Sequence, residues 1–176
     1  MGFFDFLKTA TEDSFNFHVW WLSEFSEEER AYINNKYYSA DLNKIQSVES
    51  PECFLKNLCG WFTTMENSHL GWRIAKKAEY LALQKKSIVD LHFIYAQMLK
   101  QIHRYHEKIE DETQMRIEIC KKQIALSLQV SKIFKKEFSE IPAHSGYFTL
   151  ISILKDQGRR QEAKELILKQ KKEGWA

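Results

Sequence analysis

His103 and His106 stand three residues apart in a stretch without a helix breaker. On a helix that spacing puts both imidazoles on one face, about 4.5 Å apart along the axis, within reach of one metal ion. His92 falls on the same stripe, since eleven residues return a helix to within about 20° of its starting direction, but about 16 Å of rise keeps it from sharing that ion. The stripe Ile88, His92, Tyr95, Leu99, His103, His106 and Glu110 mixes aromatic, apolar and polar groups. A ligand groove looks like this, and so does a half-buried helix whose imidazoles bond to neighbours. The second reading is preferred, and no metal is assigned.

Other candidates for chemistry are thinner. Glu66 and His69 form one E-x-x-H match, the spacing by which di-iron bundles aim two ligands inward, but the second copy such sites need is missing and Gly71 follows closely. Cys120 is flanked by Lys121 and Lys122, which could lower a thiol pKa, yet Ile117, Ile119 and Ile124 around it point to burial. No G-x-S-x-G elbow and no phosphate-cradling glycine loop is present, and six glycines leave little material for one. The expectation is a chain without catalytic residues and without a cofactor. Cys53, Cys59 and Cys120 contain no C-x-x-C pair, so reduced thiols in a cytoplasmic protein are expected.

The elements that would position these residues are helical throughout. The chain has 176 residues, 44% of them apolar and 28% charged, with two prolines. That suits one all-α domain over 1–176 with long, seldom-broken helices. Twelve Phe, seven Tyr and five Trp exceed what a helical core of this size needs, which leaves aromatic side chains for a groove or contact surface. Charge is graded along the chain. Residues 1–70 carry five Lys/Arg against eleven Asp/Glu, net −6, and residues 121–176 carry twelve against six, net +6. Such a basic end can meet nucleic acid or an acidic protein, although its lysines are interleaved with apolar residues as on the wet side of amphipathic helices. No apolar run reaches the ~20 residues of a membrane helix. Met1 to Leu7 lacks a basic lead and is interrupted by Asp5, so it reads as an amphipathic segment docking on the body rather than a signal peptide.

Local signals mark the helix ends. Phe15, Val19 and Leu22 recur at helical spacing as a buried face, with Trp20 and Trp21 widening it, and Ser26 with Glu29 makes a capping box for a second helix reaching about Tyr38. Ser50-Pro51-Glu52 is the strongest start, with Ser as cap, Pro in the first turn and Glu at the positive end of the dipole. A pause is expected around Asn67 to Gly71. Further helices follow from there to Lys86 and from Ile88 to about Lys108, and Glu110-Asp111-Glu112 breaks this one and caps another through Met115 to Phe138, ending before Pro142. Asp90, in a first turn, reads as a capping carboxylate. Two shorter helices, about Ala143 to Gln157 and Arg160 to Glu173, complete seven to nine in all.

In this last stretch Tyr147, Leu150, Leu154, Gly158, Ala163 and Ile167 follow a recognisable order: a large residue early, Leu near the middle, Gly at the turn, and a small Ala facing the first helix. Residues 143–175 thereby resemble a tetratricopeptide repeat hairpin. Ile151 and Gln170 depart from the family, standing where small residues are usual, as in a repeat that caps an array. The resemblance implies stacked antiparallel helical hairpins, with aromatic-rich helices over 1–50 and long helices over 51–138. It also implies that the first helix of the hairpin lines a concave surface with Ser145, Phe148, Ser152 and Lys155. Together with His92, Tyr95 and His103, these are the expected partner-binding residues. The leading expectation is a non-catalytic module binding a protein or peptide in a helical groove, self-association included. Two alternatives stand beside it: a nucleic-acid-associated protein using the basic C-terminal third, and a histidine-containing helical protein that binds a small ligand or metal.

Overall fold

The computed structural model describes residues 15–35, 50–105, 111–137 and 141–175, and every extended regular element among them is a helix. There are eight: α1 (Phe17–Glu24), α2 (Glu27–Ile33), α3 (Pro51–Cys59), α4 (Ser68–Lys85), α5 (Ile88–Tyr105), α6 (Glu112–Glu137), α7 (Ser145–Asp156) and α8 (Arg160–Glu173). Met1 to Leu7, His106 and Glu110 lie outside the described residues. The chain divides into two compact units, Met1–Phe54 and Leu55–Ala176.

In the first unit the local signals hold. The Val19 amide donates to Asn16 Oδ1 at 3.1 Å, closing the start of α1. Ser26 and Glu29 form the expected capping box, with the Glu29 amide donating to Ser26 Oγ at 3.1 Å and the Ser26 amide to Glu29 Oε2 at 2.9 Å. The buried face of α1 is a correction. Val19 and Leu22 are 60% and 49% exposed; Trp21 is buried as expected, but Phe17 and Phe25 complete the inward row with it. Phe17 stacks on Trp21 at 5.6 Å and meets Phe54 edge-on at 5.6 Å. An apolar helix presents more than one row at helical spacing, and here the row with the most ring area to bury turns inward.

The second unit is a stack. Helices α4 to α8 each pack on the next in sequence, and α5 also touches α7 while α6 touches α8. Side-chain pairs give the directions. His92 and Gln123 meet near one end of the α5–α6 pair, and His103 and Arg116 share a concavity toward the other, so the two helices are antiparallel. Gln123 meets Gly146, whereas Ile117 lies with Leu154, so α7 is antiparallel to α6 and runs parallel to α5. Leu70, Ile74, Ala78 and Leu81 form the inner face of α4; Leu91, Ile94, Met98 and Ile102 form that of α5. Asp90 lies by Lys56 and Ser87, its Oδ1 accepting from Lys56 Nζ at 2.7 Å and its Oδ2 from Ser87 Oγ at 2.6 Å. Burial pushes this carboxyl up, but those two hydrogen bonds and the lysine's charge outweigh it, leaving the pKa below its usual value.

The expected pause at Asn67 to Gly71 is corrected: α4 begins at Ser68 and Gly71 lies inside it, buried. Glycine is required there by close approach rather than by a turn. A Cβ on Gly71 would stand 2.8 Å from the Gln101 amide and 2.9 Å from Phe62 Cβ. Gln101 is itself committed, its Nε2 donating to the Cys59 carbonyl at 2.8 Å. Gly71→Ala is expected to lower stability by about 1–2 kcal/mol, because overpacking against Phe62 and the committed Gln101, in the upper part of the usual range at about 2–3 kcal/mol, exceeds a helix-propensity gain of about 1. Thermal unfolding of the variant checks this, and an unchanged or raised midpoint would refute the close approach.

The C-terminal hairpin closes as its glycines predict. Gly158 adopts φ +73°, the Arg159 amide reaches back to the Leu154 carbonyl at 2.8 Å, and Ala163 is buried in the turn's lee. The same closure recurs after α8, where Gly174 has φ +85° and the Trp175 amide donates to the Gln170 carbonyl at 3.1 Å.

Candidate functional site

Parallel α5 and α7, with the first turns of α6 beside them, enclose a groove of about 370 Å3. Leu99, Lys100 and His103 line it from α5, Arg116 from α6, and Ser145 and Phe148 from α7. Three residues chosen from sequence, His103, Ser145 and Phe148, are thus brought to one place by helices 42 or more residues apart in the chain. Phe148 is 60% exposed. Ser152 and Lys155 are exposed on the next turns of α7 and continue the stripe past the groove. The helical rise puts Lys155 about 10 Å beyond Phe148.

His92 and Tyr95 do not belong to this surface, which corrects the expectation for both. His92 is fully buried, its ring stacked on Trp175 at 5.2 Å and edge-on to His144 at 5.0 Å and Phe134 at 5.7 Å. Burial pushes its imidazole down to about 4, so it is neutral at neutral pH. Tyr95 is buried, with Lys122 Nζ 5.9 Å from its ring centre. Burial raises its phenol, and the charge and hydrogen bonding of Glu79 raise it further. The two residues share the α5 stripe with His103, but α6, the 141–144 segment and Trp175 cover that end of the helix.

Behind the groove lies a buried polar seam that sequence reasoning missed. Gln123 spans two helices: its Nε2 donates to the His92 carbonyl at 2.8 Å, and its Oε1 accepts from the Gly146 amide at 2.7 Å. A Cβ on Gly146 would stand 2.8 Å from that Oε1, so the glycine makes room for the amide. Tyr147 Oη donates to Glu173 Oε2 at 2.6 Å, and Ser127 Oγ also donates to this carboxylate. Burial raises the Tyr147 phenol above its usual value, as does the Glu173 carboxylate. Glu79, buried on α4, accepts from Lys122 Nζ at 2.8 Å. Buried polar groups are satisfied by such partners. The only hint in the sequence was the presence of Gln, Glu and Ser at inward helical positions, and it names no partner.

Among the described residues, the cysteines and the Glu66–His69 pair do not line the groove. Cys59 and Cys120 are buried and their thiols are pushed up to about 12, which makes them poor nucleophiles. Glu66 sits in the turn ahead of α4 and His69 in its first turn, so the E-x-x-H pair does not lie on one helix. Among the described residues no group of three His, Cys, Asp or Glu side chains could hold a metal ion. The basic C-terminal third is in part internally neutralised: Lys122 pairs with Glu79, Arg159 with Glu162 at 2.6 Å, and Lys169 with Glu173 at 3.9 Å. A second concavity of about 320 Å3, between α6, α7 and α8, carries both signs, with Lys121 and Lys169 beside Glu162 and Glu165. No described helix is long and apolar enough to cross a membrane.

Compared with known proteins, the chain matches no family model, no curated protein and no solved structure.

Proposed function

We propose that this chain is a non-catalytic interaction module that takes a peptide or protein segment along the α5–α7 face. The observation that carries the reading is Phe148. A phenylalanine left 60% exposed at the mouth of a concave, partly apolar groove gains nothing for the fold, but it is the kind of anchor that dominates interfaces. The parallel pairing of α5 and α7, with α6 and α8 touching behind them, supports it. In the tetratricopeptide hairpins that residues 143–175 resemble, first helices stand side by side in this way and line a concave surface. The exposed run Phe148, Ser152 and Lys155 supplies an anchor, a hydrogen-bonding group and a charge in line. The free thiols of Cys53, Cys59 and Cys120 suit a reducing compartment, and the cytoplasm is the proposed location.

Phe148→Ala tests this. Removing an exposed ring should leave stability within about 0.5 kcal/mol, while loss of an interface anchor costs about 2 kcal/mol or more, roughly thirtyfold in affinity. The matched control is Leu168→Ala, since Leu168 is equally exposed on α8 but lies outside the groove. A partner captured from host lysate should be retained by the parent and by Leu168→Ala, and lost by Phe148→Ala. Capture indifferent to Phe148 would refute the groove as the binding surface.

A further inference from the structure

Resting on that reading, we infer that the occupant is an extended acidic segment, with an apolar anchor beside Phe148 and a carboxylate following it toward the C-terminal end of α7.

Charge complementarity along the face carries this. Lys100, His103 and Arg116 line the groove, and no carboxylate is among the described residues that do. Arg116 is already engaged, its Nη1 donating to Glu112 Oε1 at 3.2 Å, so it adds little net charge. Lys100 and Lys155 are different: both are exposed, and neither makes an ion pair with a carboxylate among the described residues. In the same unit Lys56, Lys76, Lys122 and Lys169 each have a carboxylate within 4.0 Å, whereas Lys121, Lys132, Lys135 and Lys164 resemble Lys100 and Lys155 in making no ion pair among the described residues but lie outside the groove. Two lysines without an ion pair among the described residues accompany the one exposed aromatic ring of α7, and apart from Lys100, His103 and Arg116 the groove lining is apolar or hydroxylic.

The spacing adds a register. Phe148 and Lys155 are seven residues apart, about 10 Å along α7. An extended chain advances about 3.3 Å per residue, so an anchor seated at Phe148 places its third following residue level with Lys155. Lys100 approaches the groove from α5, on the opposite wall. A Glu or Asp two to four positions after an aromatic or large aliphatic residue is the segment that fits. A basic or uncharged segment would leave both ammonium groups without a counter-charge.

The experiment is to pan a random dodecamer phage library against the intact chain, against Phe148→Ala, and against the double charge reversal Lys100→Glu/Lys155→Glu. The intact chain is expected to enrich peptides with an apolar anchor and an acid two to four residues on, and these should be lost on Phe148→Ala. Each single replacement, Lys100→Ala or Lys155→Ala, should weaken a synthetic winner about fivefold. The charge reversal should enrich basic residues at the same positions. Peptides that need Phe148 but carry no acid, and that ignore the charge reversal, would overturn the inference and leave the groove reading intact. Recovery equal on the parent and on Phe148→Ala would overturn both. A dimer of the purified chain that dissociates on Phe148→Ala would assign the groove to a second copy and likewise overturn the acidic segment.

Discussion

Trp175→Ala should cost the chain about 3–5 kcal/mol of folding free energy, the range for emptying a core position of an aromatic side chain. The residue follows α8, in a segment that no regular element fixes. Here it is 6% exposed. Its ring is stacked on His92, meets His144 edge-on at 4.7 Å and Phe134 at 6.0 Å, and its Nε1 donates to the Ser127 carbonyl at 3.2 Å. Gly174, in the left-handed region, turns the chain off the end of α8 so that the indole can enter between α5 and α6. Its own carbonyl accepts from Gln170 Nε2 at 3.3 Å. Through that bond the buried Gln170 amide latches the segment after α8. Against a typical total of about 5–15 kcal/mol, the loss would leave a marginal fold. Trp175→Phe separates the contributions, keeping the stacking and removing one hydrogen bond worth about 1 kcal/mol. Urea unfolding followed by circular dichroism measures both, and an Ala variant within 1 kcal/mol of the parent would show that the indole is not part of the core.

Acidification should unfold this protein earlier than its carboxylates alone would. His92 and His144 are both buried, and His92 Nδ1 and His144 Nε2 have no hydrogen-bond partner. Burial pushes His92 down to about 4; burial, with His92 beside it, pushes His144 down to about 3. In the unfolded chain both take up protons near 6.5. The unfolded state therefore binds more protons below that pH, and stability falls as pH falls, through the window from about 6.5 to about 4 and 3. At pH 5 the loss is about 2 kcal/mol for each imidazole. The other groups close by do not reverse the sign. Lys169 lowers His144 further, and the Glu173 carboxylate is turned to Tyr147 and Ser127. Midpoints of urea unfolding between pH 7 and 5 should fall accordingly. His92→Phe/His144→Asn should flatten the slope, with Asn chosen because His144 Nδ1 accepts from the Tyr147 amide at 3.3 Å and Asn can replace that acceptor. Should the double variant not fold, the imidazole carbon protons of the parent decide the matter by NMR: two histidines that titrate normally above pH 5.5 would refute burial of the pair.

Much of the groove was legible in advance, because its α7 wall is set by local chemistry. Ser145, Phe148, Ser152 and Lys155 share a face through helical periodicity alone, and the helix that carries them is closed by Gly158, whose left-handed conformation needs no distant contact. The α5 wall was only half legible. Periodicity put His92, Tyr95 and His103 on one stripe, and they are on one stripe. Which of them meets solvent depends on what crosses the stripe, and the covering groups come from Phe134, His144 and Trp175, the last 83 residues further along the chain than His92.

The sequence by itself determined the all-α class, the starts at Ser26 and Pro51, the turn at Gly158 and the extent of α8, because capping, backbone conformation and periodicity are satisfied within a few residues. Tertiary structure alone decided the inward row of α1, the glycine at 71, the pairing of Glu79 with Lys122 and the burial of His92. Each of these depends on which helix arrives opposite. A helical face states that it is apolar or polar, but packing selects its partner by shape and by the bonds that buried amides and carbonyls require, and those constraints are shared between residues such as His92 and Gln123 that lie 31 positions apart.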